Sequence, residues 1–210
     1  METAILRNLL RQRNLAVSNN KDVESVGQEL STKIRYAISD SVSISRFAGF
    51  KQANSELKLT GTEVSGPIVL LDYFLQDYVN ARRYAANFSD LWLKHAKQSI
   101  NNGNSFRESV RNANQGTLYR LQLIAGTESN KAYTEGRNAA AKSARAPGLN
   151  LVKVWDSTMD RNSCHTCYSN NGKICGLAEK FSFGEPGFIH PLCRCTYTIV
   201  SEEEASLFLQ

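Results

Sequence analysis

Four of the five cysteines and two of the three histidines in this chain stand in one short stretch: Cys164-His165-Thr166-Cys167, then His190-Pro191-Leu192-Cys193-Arg194-Cys195. Thiolates and imidazoles at this spacing can close a tetrahedral zinc site. The CxxC pair on a tight turn supplies one edge, and the HPxCRC segment on a returning strand supplies the other. The first choice of ligands is Cys164, Cys167, His190 and Cys195, with Cys193 as the alternate for either partner of the second pair. Residues 193 and 195 share one face of an extended strand, so both can turn inward together. Cys175 stands apart as a small buried hydrophobe. His165 points away from its flanking cysteines and stays outside the set. Packed free thiols and disulfides are the competing readings of the same residues. With four protein ligands no position is left for water. The zinc would then be structural, and its binding would contribute roughly 10 kcal/mol or more of folding energy.

The chain does not need such a staple for lack of core. Its 210 residues, 41% of them hydrophobic, suffice for a sizeable interior. A net charge of +5 permits nucleic acid or acidic partners without demanding them. The apolar residues Ala4, Ile5, Leu6, Leu9 and Leu10 are interrupted by Arg7, Arg11 and Arg13, so no signal-peptide core forms. No run approaches the roughly 20 apolar residues that span a bilayer. The expected folding compartment is a reducing cytoplasm, where clustered cysteines act more often as ligands than as disulfides.

The expected fold class is α+β and mainly α: a helical N-terminal body followed by a small β-rich, zinc-stapled C-terminal module. Residues 1–65 read as a helical arm, 66–146 as the helical body, and 147–210 as the Cys/His module with a short tail. In the arm, one helix is predicted near Thr3–Ala16. A second is predicted near Val23–Ile44, with Val26, Leu30, Ile34 and Ile38 about one turn apart. Docking on its own domain is the expected fate of a short basic helix, and an arm reaching for another subunit or DNA is the alternative. In the body, Pro67 suits a first helical turn, and Ile68, Leu71, Leu75, Tyr78, Ala85, Trp92 and Ile100 recur at helical spacing. Asn101-Asn102-Gly103-Asn104 breaks that helix, and Ser105 with Glu108 forms a capping box. Gly116 is expected to separate a short helix from a longer one near Thr117–Ala144, striped by Leu118, Leu121, Ala125, Ala132 and Ala139. Lys131, Arg137, Lys142 and Arg145 read as its solvated face, with a surface for DNA or an acidic partner as the alternative.

Beyond a turn at Ala146–Asn150 the texture changes. Leu151–Trp155 alternates as a strand, Asp160–Ser163 turns into the CxxC, Asn170–Lys173 signals a hairpin, and Thr196–Val200 is a second strand. No HExxH, GxSxG or P-loop is present, so no enzyme is expected. Asp156, Asp160 and His165 offer a zinc-dependent nuclease as an alternative, and a DNA-binding zinc module is another.

Together these residues resemble the phage head morphogenesis, or minor head protein, family of Mu F-like proteins. The resemblance begins at Leu123-Ile124-Ala125-Gly126-Thr127-Glu128 and runs through Val154-Trp155-Asp156, the CxxC and Gly172-Lys173. It closes at His190-Pro-Leu-Cys-Arg-Cys195, covering about 75 residues, roughly 120–200. It implies a virion protein of a tailed phage, inside the capsid at the portal vertex after a spell in the host cytoplasm. The implied partners are the portal protein or the capsid interior, with packaged DNA as a further one and neither a membrane nor a small-molecule substrate. The implied task is assembly, DNA packaging or delivery. Some relatives carry toxin or enzyme domains after the CRC motif. Here fifteen residues follow Cys195, which favours a purely structural role.

Overall fold

Four long helices hold most of the described residues up to 143. The computed structural model describes residues 2–20, 22–64, 66, 70, 73–145 and 150–209. Its long helices are α1 (Glu2–Asn19), α2 (Val23–Leu59), α3 (Tyr73–Asn101) and α4 (Phe106–Ser143). Two short strands, β1 (Glu63–Val64) and β2 (Ala144–Arg145), pair antiparallel. The C-terminal part holds β3 (Leu151–Asp156), α5 (His165–Asn170), β4 (Ile174–Gly176), β5 (Thr196–Ser201) and α6 (Glu202–Ala205), followed by a 3₁₀ turn. The mainly α architecture with a small C-terminal sheet is the expected one.

Local chemistry explains the helix ends. Asp22 caps α2, accepting from the Ser25 backbone N–H at 2.8 Å and its hydroxyl at 2.9 Å. Helix α3 stops at Asn101, where Gly103 takes a φ of +85°. The Ser105–Glu108 box is formed, with the Ser105 N–H donating to Glu108 at 3.0 Å and the Glu108 N–H to Ser105 Oγ at 3.4 Å.

The chain forms two compact units, residues 1–43 with 73–126 and residues 44–72 with 127–210. They interleave the three segments drawn in chain order, because α2 and α4 each contribute to both. In the first unit, Ile5, Leu9 and Ala16 of α1 join Val26, Leu30, Ile34 and Ile38 of α2 in one core. Phe88 and Trp92 of α3 and Leu121 and Ile124 of α4 complete it. The N-terminal helix therefore docks on its own unit. Two expectations are corrected here. Gly116 does not divide α4, which runs unbroken through it. A Cβ at Gly116 would lie 2.9 Å from the His95 ring, so the glycine admits a neighbour and does not end a helix. On α3, Leu75, Tyr78 and Ile100 are exposed, and the buried line runs through Asp77, Ala81, Ala85, Phe88, Trp92, Ala96 and Ser99. Ala85 and Trp92 lie on that face as expected, and Ala81, Ala96 and Ser99 extend it where a search for large apolar residues fixes on Leu75, Tyr78 and Ile100. Pro67, Ile68 and Leu71 lie outside the described residues, as does most of the turn at 146–150.

In the second unit the late part of α2 crosses α4 at two glycines. A Cβ at Gly49 would lie 1.9 Å from the Tyr133 carbonyl oxygen, and one at Gly136 would lie 1.9 Å from that of Arg46. The two backbones touch, and only glycine permits it. One residue on, Arg137 is 1% exposed and forks onto Glu56 at 3.0 and 2.6 Å. Glu56 also accepts from the Ile199 N–H at 3.0 Å, so one carboxylate ties α2, α4 and β5. The expected solvated face of α4 is thus corrected at Arg137. Lys142 is exposed, Lys131 pairs with Glu128, and the Arg145 side chain lies outside the described residues.

The sheet has the order β4-β3-β5, antiparallel throughout, with Val152 opposite both Gly176 and Val200. Strand β3 is central and buried from Leu151 to Trp155 on both faces, so the expected alternation does not appear in its exposure. Lys153 is buried there, its ammonium donating to the Glu179 carbonyl and to Glu185 at 3.0 Å. The Asn170–Lys173 turn, with Gly172 at φ +77°, joins α5 to β4. It does not close a hairpin, because the path from β3 to β4 passes through α5.

Candidate metal centre

The CxxC begins a helix and is not a bare turn. Cys164 caps α5, and its sulfur accepts from the Cys167 N–H at 3.4 Å. A backbone donor aimed at a sulfur favours the thiolate, and the Cys164 thiol is lowered chiefly by that contact. Cys167, one turn in, is 4% exposed, and burial pushes its thiol up to about 12.

The opposite wall comes from a turn at His190–Cys193, closed by the Cys193 N–H on the His190 carbonyl at 3.2 Å. Its third residue, Leu192, has a φ of +58°. His190 Nδ1 lies 2.8 Å from the Pro191 carbonyl oxygen, which holds the proton on Nδ1 and leaves Nε2 as the free lone pair. That Nε2 stands 3.2 Å from Cys164 Sγ and 3.1 Å from Cys167 Sγ. Cys193 and Cys195 are both buried, as expected, but in the extended segment just ahead of β5.

Five donors therefore converge as two triads sharing Cys167: Cys164, Cys167 and His190, and Cys167, Cys193 and Cys195. In each the donor atoms lie within 4.8 Å of one another. Zn–S bonds of about 2.3 Å in a tetrahedron place two sulfurs about 3.8 Å apart. Cys167 and Cys193 are 3.8 Å apart. A cavity of about 20 Å³ lies among Cys164, Cys167, His190 and Cys195, walled by Thr158, Asn162, Ser163, Leu192 and Arg194. That is space for one small ion and too little for a substrate. Sequence reasoning named these five donors, and the fold brings them together, the four cysteines as free thiols and not disulfides. The donor set and the cavity fit a metal ion.

The thiols differ in readiness. Cys195 falls to about 5, foremost through its contact with Cys193, whose own thiol is raised by the same contact and by burial. Around them, Ser157 donates to the Cys167 carbonyl at 2.6 Å, lies 3.5 Å from Cys195 Sγ, and receives the Trp155 indole N–H at 3.0 Å. Arg194 turns outward and forks onto Asp160 at 2.7 and 2.6 Å, holding that carboxyl down to about 2.

Helix α4 supplies what sequence reasoning missed. Thr127 Oγ1 accepts from the Leu192 N–H at 3.0 Å, and the Asn130 carboxamide nitrogen donates to the carbonyls of Cys193 at 2.8 Å and Cys195 at 2.9 Å. The available signal was a polar row at helical spacing, Thr127, Asn130, Thr134 and Arg137, on a helix whose other side is apolar.

Other residues stay apart. His165 is exposed at the first position of α5. Cys175, expected to be buried, is half-buried on β4 opposite Lys153, and desolvation raises its thiol to about 11. Asp156, Asp160 and His165 form no donor group among the described residues.

The family model described as phage Mu protein F-like protein matches residues 93–198, half of the chain. The chain belongs to this phage head-morphogenesis family. The match starts earlier than the motif block near residue 120, taking in the end of α3 and all of α4, and it contains all five candidate donors. No curated protein and no solved structure matches. Among the described residues, no helix is long and apolar enough to cross a membrane.

Proposed function

We propose, from membership in that family, that the chain is a minor capsid protein of a tailed phage. It sits inside the head near the portal and assists assembly, DNA packaging or delivery. It acts through surfaces presented to the portal protein or the capsid interior, with packaged DNA as a further contact, and not by catalysis. The observation that supports the non-enzymatic part is the small cavity of about 20 Å³, whose walls hold three cysteines and a histidine and no carboxylate. The zinc-dependent nuclease alternative lacks a base there, since Asp160 is engaged by Arg194.

Zinc is the metal this donor set suits, held by Cys164, Cys167, His190 and Cys195, with Cys193 as the alternate. When bound it supplies a cross-link between α5 and the segment leading into β5. The residues supply the geometry: Cys164 presents its sulfur from a helix cap, and the Pro191 carbonyl orients His190.

Two measurements test this. Elemental analysis of protein purified without chelator, with alkylation of its thiols, is expected to give one zinc per chain and protected ligand cysteines. No metal and five reactive thiols would remove the zinc assignment. Quantitative mass spectrometry of purified heads is expected to find the chain in few copies, and fewer still in heads assembled without portal. Absence from heads at every stage would overturn the capsid role, as would metal-dependent DNA cleavage by the pure protein.

A further inference from the structure

Five donors meet where a tetrahedral ion takes four, so the fold must decide which sulfur is used. Cys193 and Cys195 are the same residue type, two positions apart, and 1% and 2% exposed. The contact of Ser157 Oγ with the Cys195 sulfur at 3.5 Å and the way their backbones are held distinguish them. The Asn130 carboxamide nitrogen has two hydrogens, and it places one on each carbonyl, 2.8 Å from that of Cys193 and 2.9 Å from that of Cys195. Both peptide planes are thereby pinned to one point on α4.

Two further contacts complete the grip. Leu192 is the only residue other than glycine with positive φ among the described residues, at +58°, and Thr127 Oγ1 accepts its N–H at 3.0 Å. A left-handed conformation is unfavourable for such a residue, so the turn needs external support. Gly187, at φ +82°, lies against Asn130, where a Cβ would be 3.1 Å from its carbonyl oxygen, and the Gly187 N–H reaches the Cys193 sulfur. Held this way, Cys195 lines the cavity with Cys164, Cys167 and His190, and Cys193 is not among its walls.

We propose that Asn130, supported by Thr127, is the positioning residue that selects Cys195 over Cys193 as the fourth metal ligand, by clamping both carbonyls of the HPxCRC segment to α4. This rests on the metal-centre reading above. Without the clamp the segment relaxes and the two sulfurs compete.

Cobalt(II) titration of the full chain tests it, because the thiolate-to-metal and d–d bands report the ligand set, with circular dichroism to check folding. In the otherwise native chain, Cys193→Ser should keep the bands and Cys195→Ser should lose them. In an Asn130→Ala background the two serine variants should become alike, and metal affinity should fall by about 10- to 100-fold. Thr127→Val, which removes the acceptor at nearly constant volume, should move affinity the same way by less. It keeps the test open should Asn130→Ala not fold. A merely structural Asn130 would lower Tm yet leave the cysteine discrimination intact, and that result overturns the proposal. So does equal behaviour of the two serine variants in the native background. Absence of any cobalt band in the native chain is a different failure, and it removes the metal-centre reading itself.

Discussion

The two compact units differ in what they bury beside apolar surface. Among the described residues, the first adds Arg13 and Asp77 as its buried charged side chains to a mainly apolar interior. Its core is aliphatic, alanine and aromatic side chains from four helices, and Trp92 at its centre is fully buried. The second buries Arg137, Lys153 and Glu185, together with Cys167, Cys193 and Cys195. Charge divides the same way. The first unit carries thirteen Lys and Arg against eight Asp and Glu and the second twelve against twelve, so the net +5 belongs to the first. Apolar burial is non-directional and roughly proportional to area, so it tolerates substitution in small steps. Buried ion pairs and thiol clusters are all-or-none, because removing one partner strands the other.

Four measurements break or sharpen that contrast, and the two tryptophans make it readable. Trp92 reports on the first unit and Trp155 on the second, so Trp92→Phe and Trp155→Phe leave one probe each. The largest effect is expected from Glu56→Gln, which leaves the guanidinium of Arg137 buried without its countercharge, at a cost of about 3–5 kcal/mol. Urea unfolding followed at Trp155 should shift more than at Trp92. Equal shifts would show that the two units unfold as one.

Next is Gly136→Ala, where the added Cβ meets the Arg46 carbonyl oxygen at 1.9 Å. The helices must separate, and a loss of about 1–3 kcal/mol is expected. A neutral result would mean that the crossing is loose. In the first unit, Ile34→Val at a fully buried position should cost only about 0.5–1.5 kcal/mol, read at Trp92. A larger loss would put the first unit among the intolerant structures too.

The smallest effect is a pH dependence. The Ser25 backbone N–H holds the Asp22 carboxyl below its ordinary value. A depressed carboxylate contributes stability above its unfolded pKa and loses it as pH falls through the folded one. The acid limb of unfolding at Trp92 should therefore flatten in Asp22→Asn. An unchanged limb would remove the cap from the account.

Much of the helical body was legible because its chemistry is local. The Ser105–Glu108 box, the stop at Gly103 and the row Val26, Leu30, Ile34 and Ile38 each depend on residues within one turn of one another. Part of the α3 face was misplaced because a helix can bury alanines and leave Leu75 outside when its neighbours come close, and closeness is not a property of one segment. Gly116 shows the same limit, since its purpose is the ring of His95 on another helix.

The donors of the candidate metal centre were determined by the sequence alone, because thiols and imidazoles at close spacing have few other uses, and the ordered motifs pointed to the family. Their arrangement was decided by tertiary structure. Whether Arg137 is a surface charge or a buried tie depends on a glutamate 81 positions away. Which of two cysteines faces the cavity depends on an asparagine more than 60 positions before them, at 63 and 65 residues. Local pattern carries propensity and chemistry. Long-range contacts alone choose the partner for a buried charge and the direction in which a loop points its sulfurs.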